Sequence, residues 1–266
     1  MAEPGVERIA AAFAAARSQG RAALMPYLMG GFPDMATSAA VIDAYADAGA
    51  DLIELGAPYS DPLADGPVIQ AAATRALAAG TRLEGVLELC ERVASRVPVL
   101  PMVYANVVLT LGAERFAAML AGAGAAGAII PDLPREEDPS VAGALLERGL
   151  APIGFVTPTT SPGRLAAVAA AAVGFTYVVS LAGVTGERDE LPPELAGIVA
   201  AVRAASEAPA AVGFGIGTPE QAARVGAVAD GVIVGSRLVR AVADAGDPEA
   251  AADAVAAFLA DARAGL

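Results

Sequence analysis

"ALMPYLMGGFPD", residues 23–34, holds the first strand-like run of the chain and the turn that follows it. "ALMPYLM" is apolar on both faces, as a strand buried in a parallel sheet must be. The turn then separates two architectures. A doubly wound open sheet carries its glycine-rich dinucleotide fingerprint directly after the first strand. "GGFPD" lacks that pattern. The competing parallel architecture is the (β/α)8 barrel, eight strand–helix units in about 250 residues.

The remaining sequence repeats the unit. Further strand-like runs are "DLIEL" (51–55), "VPVLPMVY" (97–104), "GAIIP" (127–131), "APIGFV" (151–156), "GFTYVVS" (174–180), "PAAVGF" (209–214) and "DGVIVG" (230–235). Amphipathic helical patterns such as "TSAAVIDAYADAG" and "PSVAGALLERG" lie between them. Another precedes the first strand, and "DPEAAADAVAAFLADARAG" closes the chain. No change of composition marks a linker. The expected class is therefore α/β: a single (β/α)8 TIM-barrel domain over residues 1–266, with extra helices at the N-terminus and in the loops.

Composition narrows the chemistry. The net charge of −13 is spread along the chain, which disfavours a nucleic-acid partner. There is no histidine and no tryptophan, and all 17 basic residues are arginine. Without lysine there is no Schiff base to a substrate or to pyridoxal phosphate. Without histidine there is no imidazole base and no histidine metal site. The single cysteine, Cys90, cannot form an internal disulfide and lies in a helical pattern as core filler, which suits a reducing cytoplasm. No signal peptide is visible, and the uncharged run Leu165–Gly186 divides into a buried helix and a buried strand rather than a membrane span. Carboxylates, tyrosines, hydroxyls and backbone amides must carry any catalysis, with no metal or cofactor expected.

In a barrel the active site lies at the C-terminal ends of the strands. "GFGIGTPEQA" follows the seventh strand and "GSRLVRAVADA" the eighth, and in both a glycine turn leads into a helix. Such turns let backbone amides approach an anion, and these two loops form the recurrent barrel phosphate site. Gly215, Gly235 and the Ser236 hydroxyl are the expected ligands; as ordinary turn residues and an N-cap they would need no ligand. Glu54 ends the second strand. If the Leu52/Glu54 face points inward, Glu54 sits at the barrel mouth among apolar neighbours, with a raised pKa suited to giving and taking protons. A solvated strand end is the alternative. Asp61 and Asp65 follow in "APYSDPLADGP", where turn chemistry explains one aspartate readily and two less easily. Tyr177 lies among apolar residues, where core packing would explain it.

These residues, together with "DLIELGAPYSDPLADGPVIQ", "PYLMGGFPD", "YAN" (104–106), "GAIIPDLP", "GFTYVVSLAGVTG", "GFGIGTPEQ" and "GSRLV", resemble the tryptophan synthase alpha subunit family from about residue 20 to 245. The resemblance implies a carbon–carbon lyase of tryptophan biosynthesis. Its reaction is the retro-aldol cleavage of indole-3-glycerol phosphate to indole and glyceraldehyde 3-phosphate. It implies Glu54 as the acid–base residue, Asp65 on the indole N–H, and Tyr177 beside Glu54. Thr185 would bond Asp65 on loop closure. Gly186, Gly215, Gly235 and Ser236 would hold the phosphate, with Phe214 and Leu24 as walls for the indole. It also implies a pyridoxal-phosphate β subunit that receives the indole in an α2β2 complex, contacted through a surface that includes Asp61 and Pro62. Leu181 and Ala182 depart from the polar residues many members carry, and "GERDELPPEL" is acidic for a closing loop. A stand-alone lyase and a catalytically silent allosteric barrel remain as alternatives.

Overall fold

The structure, a computed structural model, describes residues 3–179, 193–213 and 215–266. Its strands are β1 (Ala23–Met29), β2 (Ile53–Gly56), β3 (Val99–Met102), β4 (Gly127–Ile129), β5 (Ala151–Val156), β6 (Thr176–Val179), β7 (Ala210–Gly213) and β8 (Gly231–Val234). They pair in parallel in sequence order, and β8 returns to β1, closing the barrel. Helices connect the strands, and several follow a proline at their first turn. Those at Pro139–Glu147, Pro219–Gly226 and Pro248–Gly265 add an Asp or Thr N-cap whose side chain accepts a backbone N–H. Proline there gives up only an N–H that has no partner within the helix.

Alternation along the strands separates two cores. Ala23, Met25, Leu52, Leu100, Phe175 and Ile233 pack together inside the barrel. Leu24, Leu28, Ile53, Leu55, Val99 and Val212 face outward and pack with the helices. Leu24 is thus not an indole wall: it is one residue out of phase with the inward Ala23 and Met25.

The helix Gly5–Ser18 closes the N-terminal end of the barrel. Ile9, Phe13 and Ala16 join the inner core, and the Phe13 and Phe175 ring centroids lie 5.6 Å apart. Arg8 anchors this helix by donating to the carbonyls of Gly124, Ala94 and Val97. Near the same end Asp51 accepts two bonds from Arg21, at 2.6 and 2.8 Å, and the Leu24 N–H at 2.8 Å. Asp51 and Leu52 stand before β2, which begins at Ile53.

The uncharged run from Leu165 resolves into the helix Pro162–Ala170 and strand β6. Among the described residues no helix is long and apolar enough to cross a membrane. Cys90 is buried in the helix Leu83–Val93, its thiol pushed up to about 12 chiefly by burial. With the N-terminal end plugged, the open end is the one where Glu54 stands.

Candidate active site

Glu54 shares the inward face of Leu52 and is 2 % exposed. On β2 it pairs in register with Tyr27 of β1 and Leu100 of β3. The Tyr177 hydroxyl donates to Glu54 Oε2 at 3.5 Å from across the barrel. Burial, and after it the charge of Asp65, raise the Glu54 carboxyl to about 8, against the lowering effect of the Tyr177 bond. Glu54 therefore holds its proton near neutral pH and can release it there.

Asp65 is half-buried on the loop after β2. Burial raises it to about 6, against the lowering effect of a hydrogen bond from Tyr104. Asp65 thus ionises first, and its charge then helps Glu54 stay protonated. The loop is stiffened by more than its prolines. The Asp65 N–H donates to Pro62 O at 3.2 Å, and the Gln70 amide donates to Asp65 O at 2.8 Å. The Ala64 N–H donates to the Tyr104 hydroxyl at 3.1 Å, and Tyr59 stacks on Tyr104 at 5.0 Å. Tyr104 is itself held in place, because the next residue, Ala105, donates its N–H to Asp132 at 2.8 Å. Asp61 is exposed and accepts from its neighbour Ser60 at 2.6 Å, so the two aspartates of the loop part company.

Tyr27 and Tyr104 had no assigned role from the sequence, yet both belong here. The period-two argument that places Glu54 inside finds them when applied to the neighbouring strands: Ala23, Met25, Tyr27 and Leu100, Met102, Tyr104. Two glycines make room for the phenols. A Cβ on Gly56 would fall 2.1 Å from the Tyr27 hydroxyl, and one on Gly213 would fall 2.5 Å from that of Tyr177.

At the other side of the mouth Gly215 has φ 82°, a conformation that requires glycine. Gly235 caps the helix Ser236–Asp244: its carbonyl accepts the Leu238 and Val239 N–H groups at 2.9 and 3.1 Å, and the amides of Ser236 and Arg237 come too early in the helix to have a partner inside it. The amides of Gly217 and Thr218 are already taken by the Gln221 side chain, at 2.6 and 3.2 Å. The Arg237 guanidinium sits 5.6 Å over the Phe258 ring, not at the glycine turns. Thr185, Gly186 and Phe214 lie outside the described residues. Among the described residues no cluster of His, Cys, Asp and Glu could hold a metal ion.

The family profile described as tryptophan synthase alpha chain matches residues 13–264. The tryptophan synthase alpha chain of Synechococcus elongatus is 49 % identical over 237 residues, covering 88 % of this chain and 89 % of that one. That of Geobacter sulfurreducens is 46 % identical, covering 88 % and 90 %. Among solved structures, a chain of Mycobacterium tuberculosis tryptophan synthase superimposes with a TM-score of 0.90 at 39 % identity, covering 97 % of both chains. A barrel fold, a paired-carboxylate mouth and a family match over nearly the whole chain converge: the chain belongs to the tryptophan synthase alpha chain family, enzymes of tryptophan biosynthesis.

Proposed function

We propose that this single-domain chain cleaves indole-3-glycerol phosphate to indole and glyceraldehyde 3-phosphate. The observation that carries the reading is Glu54: a carboxyl buried at the barrel mouth, protonated to about 8, with a second carboxyl close enough to raise it. An acid–base group with a pKa near the working pH suits proton transfer in both directions.

The steps balance without an added electron sink. Glu54 delivers its proton to indole C3, and the ring nitrogen becomes cationic. The resulting carboxylate takes the proton of the glycerol hydroxyl adjacent to C3. The oxygen lone pair forms the aldehyde carbonyl as the carbon–carbon bond breaks, and that bond's electrons return to the ring. Asp65, ionised, stabilises the cationic ring through its N–H. Tyr177 orients Glu54. The turns at Gly215 and Gly235, with Ser236, hold the phosphate, and Phe214, Thr185 and Gly186 complete the pocket on the resemblance. Because the chain has no lysine, the route does not pass through a Schiff base.

A partner is part of the reading. Leu63, on the Asp65 loop, is 91 % exposed, and Leu109, on the helix after Tyr104, is 56 % exposed. Apolar groups at the rim of a catalytic loop suit a covering surface, here a pyridoxal-phosphate β subunit in an α2β2 complex. The proposed location is the cytoplasm. Indole release by the purified chain, with and without a β subunit, tests the reading. No indole from either mixture would overturn it, and a fast chain that ignores the β subunit would favour the stand-alone lyase.

A further inference from the structure

Gln221 has no part in the steps above, yet it is a polar residue only 6 % exposed, on the helix Pro219–Gly226. Its carboxamide oxygen accepts the Gly217 N–H at 2.6 Å and the Thr218 N–H at 3.2 Å, and its own main-chain N–H donates to Thr218 Oγ1 at 3.2 Å. The bonds with Thr218 form a capping box. The bond from Gly217 reaches one residue further back, into the turn after β7. Gly217 is buried, so its amide would be costly to leave unpaired. That turn is the candidate phosphate turn. Gly213 pairs with Ile233, so Gly215 and Gly235 each stand two residues beyond the same rung of the sheet. With the amides of Gly217 and Thr218 taken, those of Gly215 and Ile216 remain, and among the described residues neither meets an acceptor.

Capping alone does not call for a neutral side chain. A glutamate at this position of a capping box accepts the same N–H, and a negative charge in the first turn suits the helix dipole. The neighbouring Glu220 carries such a charge, but it is exposed to solvent. A carboxylate at position 221 would instead be buried against the turn, where water screens little and its repulsion of a bound anion is strong. On the reading that this turn holds the substrate's phosphate, we propose that Gln221 is a positioning residue for that site. Its carboxamide ties down the turn from Gly215 to Thr218, leaves the amides of Gly215 and Ile216 to the anion, and adds no charge of its own.

The test compares Gln221→Glu with Gln221→Met. The first keeps the acceptor and adds a charge; the second keeps the length and removes the acceptor without adding one. Calorimetry gives the affinities for glycerol 3-phosphate and for indole, beside kcat and KM for indole-3-glycerol phosphate. Gln221→Glu should weaken glycerol 3-phosphate by about tenfold or more and raise KM alike, because the anchor serves ground and transition states equally. kcat should stay within about twofold, with indole affinity unchanged and circular dichroism native. Gln221→Met should weaken glycerol 3-phosphate by about threefold to tenfold, again sparing indole, and it decides the matter if the glutamate variant does not fold. Unchanged glycerol 3-phosphate affinity in a folded variant, or a loss shared equally by indole and kcat, would make Gln221 a helix cap and nothing more; each overturns the proposal. A wild-type chain that binds no glycerol 3-phosphate removes the phosphate reading itself, and this inference with it.

Discussion

The Tyr177 hydroxyl reaches from β6 across the barrel mouth to within 3.5 Å of Glu54 Oε2 on β2, and Gly213 leaves the space that lets it do so. One bond thus joins opposite sides of the barrel at its open end, and it bears on the group proposed to move protons.

Glu54→Gln keeps the shape of the side chain and removes its proton. Indole release should fall by at least about a thousandfold, since one group serves as acid and then as base. The fold should gain stability at alkaline pH. The native carboxyl keeps its proton to about 8, whereas the unfolded one loses it near 4.5. Between those values the unfolded state binds fewer protons, so wild-type stability falls as pH rises. Thermal midpoints should match at pH 4 and favour the variant at pH 8. Activity within tenfold of wild type would remove Glu54 from the mechanism.

The pH profile of kcat/KM should be a bell, rising as Asp65 ionises near about 6 and falling as Glu54 deprotonates near about 8. Asp65→Asn should be slower, should lose the acid limb and should move the alkaline limb to lower pH, because the Asp65 charge helps hold the Glu54 proton. An alkaline limb that stays in place would show that the two carboxyls do not interact.

Tyr104→Phe removes the acceptor of the Ala64 N–H and the bond to Asp65. A loss of about tenfold in indole release, with stability lowered by about 1 kcal/mol, matches one such hydrogen bond. Wild-type kinetics would show that the loop holds Asp65 without Tyr104.

Gly235→Asp places a carboxylate at the candidate phosphate turn. The backbone there has φ −112° and a Cβ meets nothing closer than 3.8 Å, so the barrel should fold. Affinity for glycerol 3-phosphate, measured by calorimetry, should collapse with native circular dichroism. Unchanged affinity would move the anion elsewhere.

Adding a β subunit should raise indole release by roughly tenfold to a hundredfold, the usual scale of allosteric coupling. Leu63→Glu, at the exposed tip of the Asp65 loop, should weaken complex formation seen by light scattering while the lone chain keeps its rate. A Leu63→Glu chain that binds and responds as wild type would place the contact elsewhere.

Much of this was legible from residue order. The β1 and β5 boundaries follow their apolar runs residue for residue. The Leu52/Glu54 alternation pointed inward, as period two allows but does not require. Other features were not legible because they depend on contacts between distant segments. Leu24 looked like a pocket wall until register with β8 set its phase. Arg237 follows Ser236 directly, yet it turns to Phe258 on the last helix.

The sequence alone determined the architecture and the kind of chemistry: strand–helix repetition without the dinucleotide turn selects the barrel, and the absence of lysine and histidine leaves carboxylates and tyrosines to act. Only the tertiary structure decided which of them meet. Glu54, Asp65, Tyr27, Tyr104 and Tyr177 come from four different parts of the chain. Their proton affinities arise from mutual burial and charge, and those exist only once the strands have closed the barrel.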